Sequence, residues 1–580
     1  MSQLKNKSPE NAVFEGFSGI DTRFLHSKYP RASDVCNFRI CDDGALKKRC
    51  GFRYSIYLNE EIRTVWTGMI NGEEKCVLLH GDKVSIYNKN GDSITDVGIV
   101  GTSSGRACFF YYRDRLYLAD GQNIYEILLP SLKISQAIGY IPLIGKDWPT
   151  GKRGDIHENR NLLCNRARIS YKIEQYPSIY LHTGWNAKSI DALYLNGNLV
   201  PPTEYTYNYM FNTVEITGLL ENDEVLIYVT YDSHEDIEIS NGFFTCTAAT
   251  NFGDLDGDRI FMWGGSKKNT LYCSEFVSRE SMEGSKAAAS ESSSLYFPSG
   301  YEFAAGDGRH DVRAAIRHYD RLLVFTDGDA WNADPKANGL ENIPLLSINQ
   351  GAGCASMCAV ETADNSPISI GKHTVYSWNT YTDEYNECNA TSISEPIDAL
   401  LHAHFYKNAT VFNAKKYGEL WFHAFGEEST WVYNLKNKAW YRFTGFDAKG
   451  FFDSDGEIFF YDAHSIYRFD DKLNYDILDD SSTKNISAVF LSDILEFSTP
   501  QKKRLDRLLI SADPKGASID VQFSFDNLQN IYVYLKAPLS EQHLVFNKRL
   551  HSGRFKYAVL KLSSEDDRLP TIHSLNIGVR

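Results

Sequence analysis

The chain has 580 residues, 13% of them aromatic (35 Tyr and 33 Phe), and a formal net charge of −15. That length predicts two to four domains, and so many aromatic side chains favour strands over helices. Residues 1–53 hold ten Lys/Arg against six Asp/Glu and residues 487–580 thirteen against ten, which leaves −22 on residues 54–486. An acidic body of this kind cannot grip phosphates by counterion release, so nucleic-acid binding in the ordinary sense is disfavoured. No stretch of eighteen apolar residues occurs and the first residues lack the apolar core of a signal peptide. The expectation is a soluble protein made in a cytoplasm, with no direct membrane insertion.

In chain order, residues 1–60 read as a separate N-terminal segment. Val35–Ile40 is strand-like, Cys41–Gly44 is a turn, and Leu46–Arg53 is a second limb carrying Lys47, Lys48, Arg49 and Arg53. Those four cations are either a solvated edge that resists aggregation or a docking surface for an acidic neighbour. From residue 61 a phrase recurs: an apolar–aromatic strand, a tight Asp/Gly/Asn turn, then a second strand ending in an aromatic residue. It is clearest at Tyr111–Ile127, His318–Ala333 and Phe452–Asp470, with looser copies at Val77–Ile94 and Glu419–Phe443. Asp-Gly and Asn-Gly supply the positive φ of a two-residue hairpin turn. A lone hairpin cannot bury its apolar face, so repeated copies imply radial or stacked repetition. The predicted fold is mainly β: a β-propeller, which leaves only short protected edges, with an inserted small β domain and a C-terminal β-sandwich.

The first blades are assigned to 61–175, although the Pro/Gly-rich stretch Tyr140–Gly154 breaks the pattern. Residues 176–235 alternate cleanly between Asn-Gly and Asn-Asp turns and read as the inserted domain. The remaining blades occupy 236–480, with a small polar, partly helical excursion at 279–295. Asp479–Thr483 marks a linker, and 487–580 contains six or so short strands, as expected for a jelly-roll or Ig-like sandwich.

Chemistry-bearing patterns are sparse. Asp254–Asp258 resembles the opening of a calcium loop, but the twelfth position, where a bidentate carboxylate is needed, is Gly265. A plain turn is the alternative. His402 and His404 are placed on one face of a strand, as a structural pair in preference to a metal site. The 11 cysteines are scattered, with Cys76, Cys108, Cys246 and Cys273 inside predicted strands; Cys36, Cys41 and Cys50 lack a paired spacing, and Cys354 and Cys358 stand apart. Reduced, buried thiols fit better than disulfides or zinc. Trp331, Trp378, Trp431 and Trp440 end strands, where core packing outweighs sugar stacking. No nucleophile elbow, zinc-protease helix or phosphate-binding loop occurs, so no enzyme, catalytic residue, cofactor or resident metal is expected.

One resemblance emerges from these residues. The opening G-I-D, N-F-R-I and D-G-A-L-K-K-R-C-G-F is similar to the first segment of phage tail nozzle proteins, also called tail tubular or packaged-DNA stabilization proteins. The matching positions are Gly19, Asn37, Gly44, Leu46, Lys48, Arg49 and Gly51. Arg317–Trp331, ending in Trp331, resembles a further phrase of that family. It is followed in the family's order by Ser347–Ser356, which contains Gly353, and by Ile368–Trp378. The C-terminal EFSTPQKKRLDRLLISAD also looks like the end of such proteins. Cys50 stands where the family often has proline, which leaves the turn there open.

The resemblance implies a structural virion protein of a short tail. Such proteins form a six-fold homo-oligomeric ring below the portal and adaptor, retain packaged double-stranded DNA and conduct it during ejection. An acidic bore would repel the phosphate backbone and let DNA pass without sequence-specific binding. Two alternatives stand beside this expectation. One is a glycan-binding or glycan-cleaving propeller at a tail tip; the other is a tail-tip or baseplate component of a long-tailed phage.

Overall fold

The computed structural model describes residues 10–580 except 24–30, 71, 114, 129–130, 132, 175–179, 232–241, 254–258, 307, 335–342, 380–388, 497–500, 514–516, 527–528, 539–544, 567 and 569. The calcium-like loop at Asp254–Asp258 therefore lies outside the described residues. Strands dominate, and the mainly β expectation is met. Among the described residues no helix is long and apolar enough to cross a membrane.

Among the described residues, seven antiparallel sets of four strands follow one another. The first is Ile62–Ile70, Glu73–His80, Lys83–Asn88 and Ser93–Ile99; the second runs from Cys108–Tyr112 to Lys133–Gln136. The third begins at Ala248–Phe252, the fourth at Val312–His318, the fifth at Val360–Ala363 and the sixth at Ala409–Ala414. In the seventh, Gly450–Ser454, Glu457–Tyr461 and Ser465–Asp470 are completed by Gly51–Tyr57, from the opposite end of the chain. The first strand of each set lies beside the first strand of the next, and Gly450–Ser454 of the seventh lies beside Ile62–Ile70 of the first. The turn chemistry is as the sequence dictates. Asp455-Gly456 (φ 47° and 74°) and Asn196-Gly197 (φ 49° and 78°) are two-residue hairpin turns with both residues left-handed.

Between the second and third sets stands a unit with its own core. A five-stranded sheet (Leu143–Trp148, Arg166–Lys172, Glu224–Tyr231, Ala187–Leu195, Asn198–Leu199) shares that core with a three-stranded one (Tyr180–His182, Thr213–Ile216, Tyr205–Asn208). Trp148, Ile169, Leu181, Val214 and Ile227 pack together inside it. The unit thus takes in Leu143–Lys172, which the sequence assigned to the first blades. The reason is that Leu143–Trp148 pairs in parallel with Arg166–Lys172, a connection that carries no hairpin-turn signal.

The C-terminal strands form two sheets, and the N-terminal segment supplies strands to both. In one sheet Leu46–Lys48 and Glu10–Phe14 each pair with Thr571–Val579, Phe38–Ile40 pairs with Leu46–Lys48, and Leu505–Ala512 lies on the far side. In the other, Ala32–Cys36 pairs with Ala488–Ser492, which continues to Tyr557–Ser564 and Ser518–Ser524. A single parallel pair, Cys36 with Arg442, joins this sheet to the sixth four-stranded set. Hence one apolar cluster runs from Phe14, Val35 and Phe38 through Trp421 and Phe460 to Phe490 and Ile577.

The excursion at 279–295 contains a helix, Arg279–Ala288, capped by the Ser278 hydroxyl accepting from the Ser281 amide. His402 and His404 are not on a strand. His402 precedes the short helix Ala403–Asn408, whose Phe405 and Tyr406 are buried while both histidines stay exposed. Phe405 and Tyr406 anchor this helical turn, so the two-residue spacing of the histidines does not place them on one strand face.

Candidate functional site

The basic hairpin of the N-terminal segment is the most chemically dense part of the sequence, and the structure places its cations unequally. Lys47 is half-buried and lies opposite Thr571. Lys48 is 1% exposed, and its ammonium donates to the carbonyl of Asp566 at 2.6 Å. Arg53 is half-buried on the strand that completes the seventh set, opposite Arg468. Arg49 is only 2% exposed.

Every donor of the Arg49 guanidinium is used. Nε donates to Asn37 Oδ1 (3.0 Å), and Nη1 donates to the Cys50 carbonyl (3.0 Å) and to Asp476 Oδ1 (2.9 Å). Nη2 donates to the Thr444 carbonyl (2.8 Å) and to Asp476 Oδ2 (2.7 Å). This is a two-pronged guanidinium–carboxylate pair in which the Asp476 side chain is as buried as the arginine. Asn37 is equally occupied. Its side-chain NH2 donates to Thr444 Oγ1 and the Ser487 carbonyl, and its Oδ1 also accepts from the Thr444 amide. Its φ of 55° is a left-handed conformation that asparagine tolerates better than most residues. The cluster therefore ties the N-terminal hairpin, the end of the sixth set and the segment entering the C-terminal sheets.

This geometry corrects the docking expectation for Lys48 and Arg49. Both are internal, and a glutamate at either position would destroy the junction instead of probing a surface. The cause is the distant partner: Asp476 is 427 residues from Arg49, so no local pattern announced it. The other motif positions are structural too. A Cβ on Gly51 would sit 1.9 Å from the Tyr475 carbonyl oxygen, so only glycine fits. Gly19 and Gly353 also lie against backbone, at Trp440 and Thr326 respectively, and Leu46 is fully buried. Gly44 (φ 82°) closes the hairpin turn, where its carbonyl accepts from the Phe17 amide. Trp331 is half-buried against the core of the third and fourth sets, and its indole N–H is buried without a hydrogen-bond partner. Trp378, Trp431 and Trp440 are core residues.

A second buried ion pair was not anticipated. Arg39 meets Glu419, which is fully buried and also accepts from Tyr441 Oη (2.6 Å) and Trp421 Nε1 (2.7 Å). The Arg39 guanidinium lies 3.7 Å from the centroid of the Tyr417 ring. The one sequence signal was an arginine set between apolar neighbours in Asn37–Ile40. Nearby, His423 is fully buried between Thr430 Oγ1 (3.0 Å) and Asp447 Oδ1 (2.9 Å). Burial holds its imidazole below the usual histidine range, with the Asp447 carboxylate opposing.

Among the described residues, no group of three or more His, Cys, Asp or Glu side chains is placed to hold a metal ion. The ten described cysteines are free thiols; burial pushes those of Cys246, Cys273 and Cys354 up to about 12.

No family model matches the chain, and no curated protein matches it. Solved structures with some likeness include the AfRom2 CNH domain, at 7% identity and a TM-score of 0.35, covering 73% of this chain and 99% of that one. The Mitotic Checkpoint Complex matches at 8% identity and a TM-score of 0.34, over 81% of this chain and 98% of that one. An exo-beta-1,3-galactanase from Phanerochaete chrysosporium, solved with galactose, matches at 8% identity and a TM-score of 0.23, over 57% and 95%. Similarity this low carries no functional argument, so function rests on the chain's own residues.

Proposed function

We propose that the chain is a non-enzymatic structural protein of a phage tail nozzle. In this reading its seven four-stranded sets close into a β-propeller, sealed in the seventh blade by Gly51–Tyr57. Copies assemble as a ring, six-fold as the resemblance implies, below the portal and adaptor. The ring retains packaged DNA and conducts it at ejection, with the acidic central region of the chain contributing the walls of the bore.

One observation supports this reading above the others. Of the seven opening positions that resemble nozzle proteins, Asn37, Gly44, Leu46, Lys48, Arg49 and Gly51 belong to the N-terminal hairpin, and Gly19, Asn37, Arg49 and Gly51 each bind or abut remote parts of the chain. What supports the reading is that several of these residues have internal, architecture-building roles. A junction whose buried arginines are consumed in internal pairs is suited to bearing load between neighbours.

The test is particle reconstruction. Cryo-electron microscopy of virions should place this chain in a ring around the DNA path, beneath the portal. A location at a fibre tip, or hydrolysis of polysaccharide by the purified chain, would overturn the proposal.

A further inference from the structure

The buried arginines Arg39 and Arg49 at the N-terminal junction each meet a carboxylate, whereas two arginines of the inserted unit meet none among the described residues. Arg160 is 8% exposed, its Nη2 is buried without a hydrogen-bond partner, and no ion pair or side-chain hydrogen bond reaches it among the described residues. Its guanidinium lies 5.4 Å from the centroid of the Trp185 ring and 4.8 Å from that of Tyr231. Arg153 is exposed and lies against the same indole, at 4.3 Å, also without a carboxylate partner among the described residues. The cluster thus gathers two permanent positive charges around one tryptophan.

His182 lies near enough to Arg153 to feel its charge. His182 Nδ1 accepts from the Gly184 amide (2.9 Å), which leaves Nε2 as the ring's proton-bearing nitrogen in the neutral form. Burial, and after it the neighbouring Arg153, lower the pKa of this imidazole below the usual histidine range. Tyr231 Oη is committed to the Thr183 carbonyl (2.8 Å), so it holds the wall and does not compete for a ligand. The Thr183 amide in turn donates to the carbonyl of Asn212 (2.7 Å). That bond anchors the turn that exposes Tyr209, Met210 and Phe211, at 66%, 84% and 65%. A buried, unpaired guanidinium is costly unless something negative meets it, and the planar fork of arginine matches two oxygens of one anion.

We propose that Arg153, Arg160 and Trp185 form an oxyanion-binding site on the inserted unit. The ligand group is a phosphate or a carboxylate, held by the two guanidiniums, with His182 Nε2 as an additional donor and the indole as the floor. The exposed turn at 209–211 offers apolar surface to whatever bears the anion. Nothing in this assignment depends on the nozzle reading.

The experiment is calorimetric titration of the whole protein with inorganic phosphate and, separately, with glucuronate, in chloride buffer at matched ionic strength. Saturable one-site binding of at least one titrant is expected. Phosphate alone marks a free phosphate or phosphoester source; tighter binding of glucuronate marks a carboxylated sugar. Arg153→Met, at an exposed position, should fold normally and weaken binding at least tenfold. Arg160→Met should abolish binding; Trp185→Phe covers the case in which Arg160→Met does not fold, and should weaken binding severalfold. Heats for both titrants indistinguishable from dilution, or unchanged affinity in Arg153→Met, would overturn the assignment.

Discussion

Arg49 and Arg160 are both nine-tenths buried or more and both lie beside aromatic rings, yet they are opposite in kind. Arg49 spends every N–H on a carboxylate, a side-chain amide and two carbonyls. Arg160 has no side-chain acceptor among the described residues, and a second cation shares its tryptophan. What separates an arginine that builds a fold from one that can serve a ligand is therefore neither burial nor aromatic company. It is whether the fork is already filled.

The sharpest way to break this contrast is to empty the filled site. Arg49→Met leaves Asp476 buried and unpaired, at an expected cost of about 3–5 kcal/mol, read from chemical denaturation. A change below about 1 kcal/mol would mean that the junction is not closed as described. Arg153→Met, by contrast, should leave the denaturation midpoint nearly unmoved. Gly51→Ala comes next. Its methyl would collide with the Tyr475 carbonyl oxygen, and a loss of about 3 kcal/mol is expected from the forced shift, checked by the same measurement.

A smaller effect should follow pH. Because burial lowers the His423 pKa in the folded protein, the unfolded chain takes up a proton at higher pH than the folded one does. Stability from this residue is complete above about pH 6.5 and declines as pH falls through that value toward the folded pKa, by at most about 1.4 kcal/mol per pH unit. His423→Gln should flatten this acid slope in unfolding curves taken between pH 7 and pH 5. The smallest stability effect is expected from Lys47→Glu, within about 0.5 kcal/mol. Lys47 and Arg53 are the hairpin cations outside the buried cluster, so normal incorporation of this variant into particles would leave the docking idea to Arg53 alone.

The repeated hairpins were legible because their information is local: Asp455-Gly456 needs only two residues to specify a turn, and alternation specifies the pleat. The strands of the inserted unit between residues 187 and 231 were readable for the same reason. Leu143–Trp148 was not, because its partner strand runs parallel and is reached without a turn signal. Nor could composition show that Gly51–Tyr57 would pair with Ser465–Asp470, or that Arg49 would find Asp476. The same distance hid the role of the basic limb. A run of Lys and Arg reads as solvated until its acceptors are known, and here they come from the other end of the chain. The Arg153–Trp185 corner was missed because its members are spread over turns of no recognisable spacing.

Residues Glu10–Phe14 zip along Thr571–Val579, and the seventh set waits for its fourth strand from residues 51–57. On a ribosome, these two strands thus emerge hundreds of residues before their partners. Until those partners appear they remain tethered, strand-prone stretches without a template. The finished protein gains a lock whose two halves arrive hundreds of residues apart, so a product terminated before Ser465–Asp470 and Thr571–Val579 would be left with Glu10–Phe14 and Gly51–Tyr57 undocked and open to proteolysis.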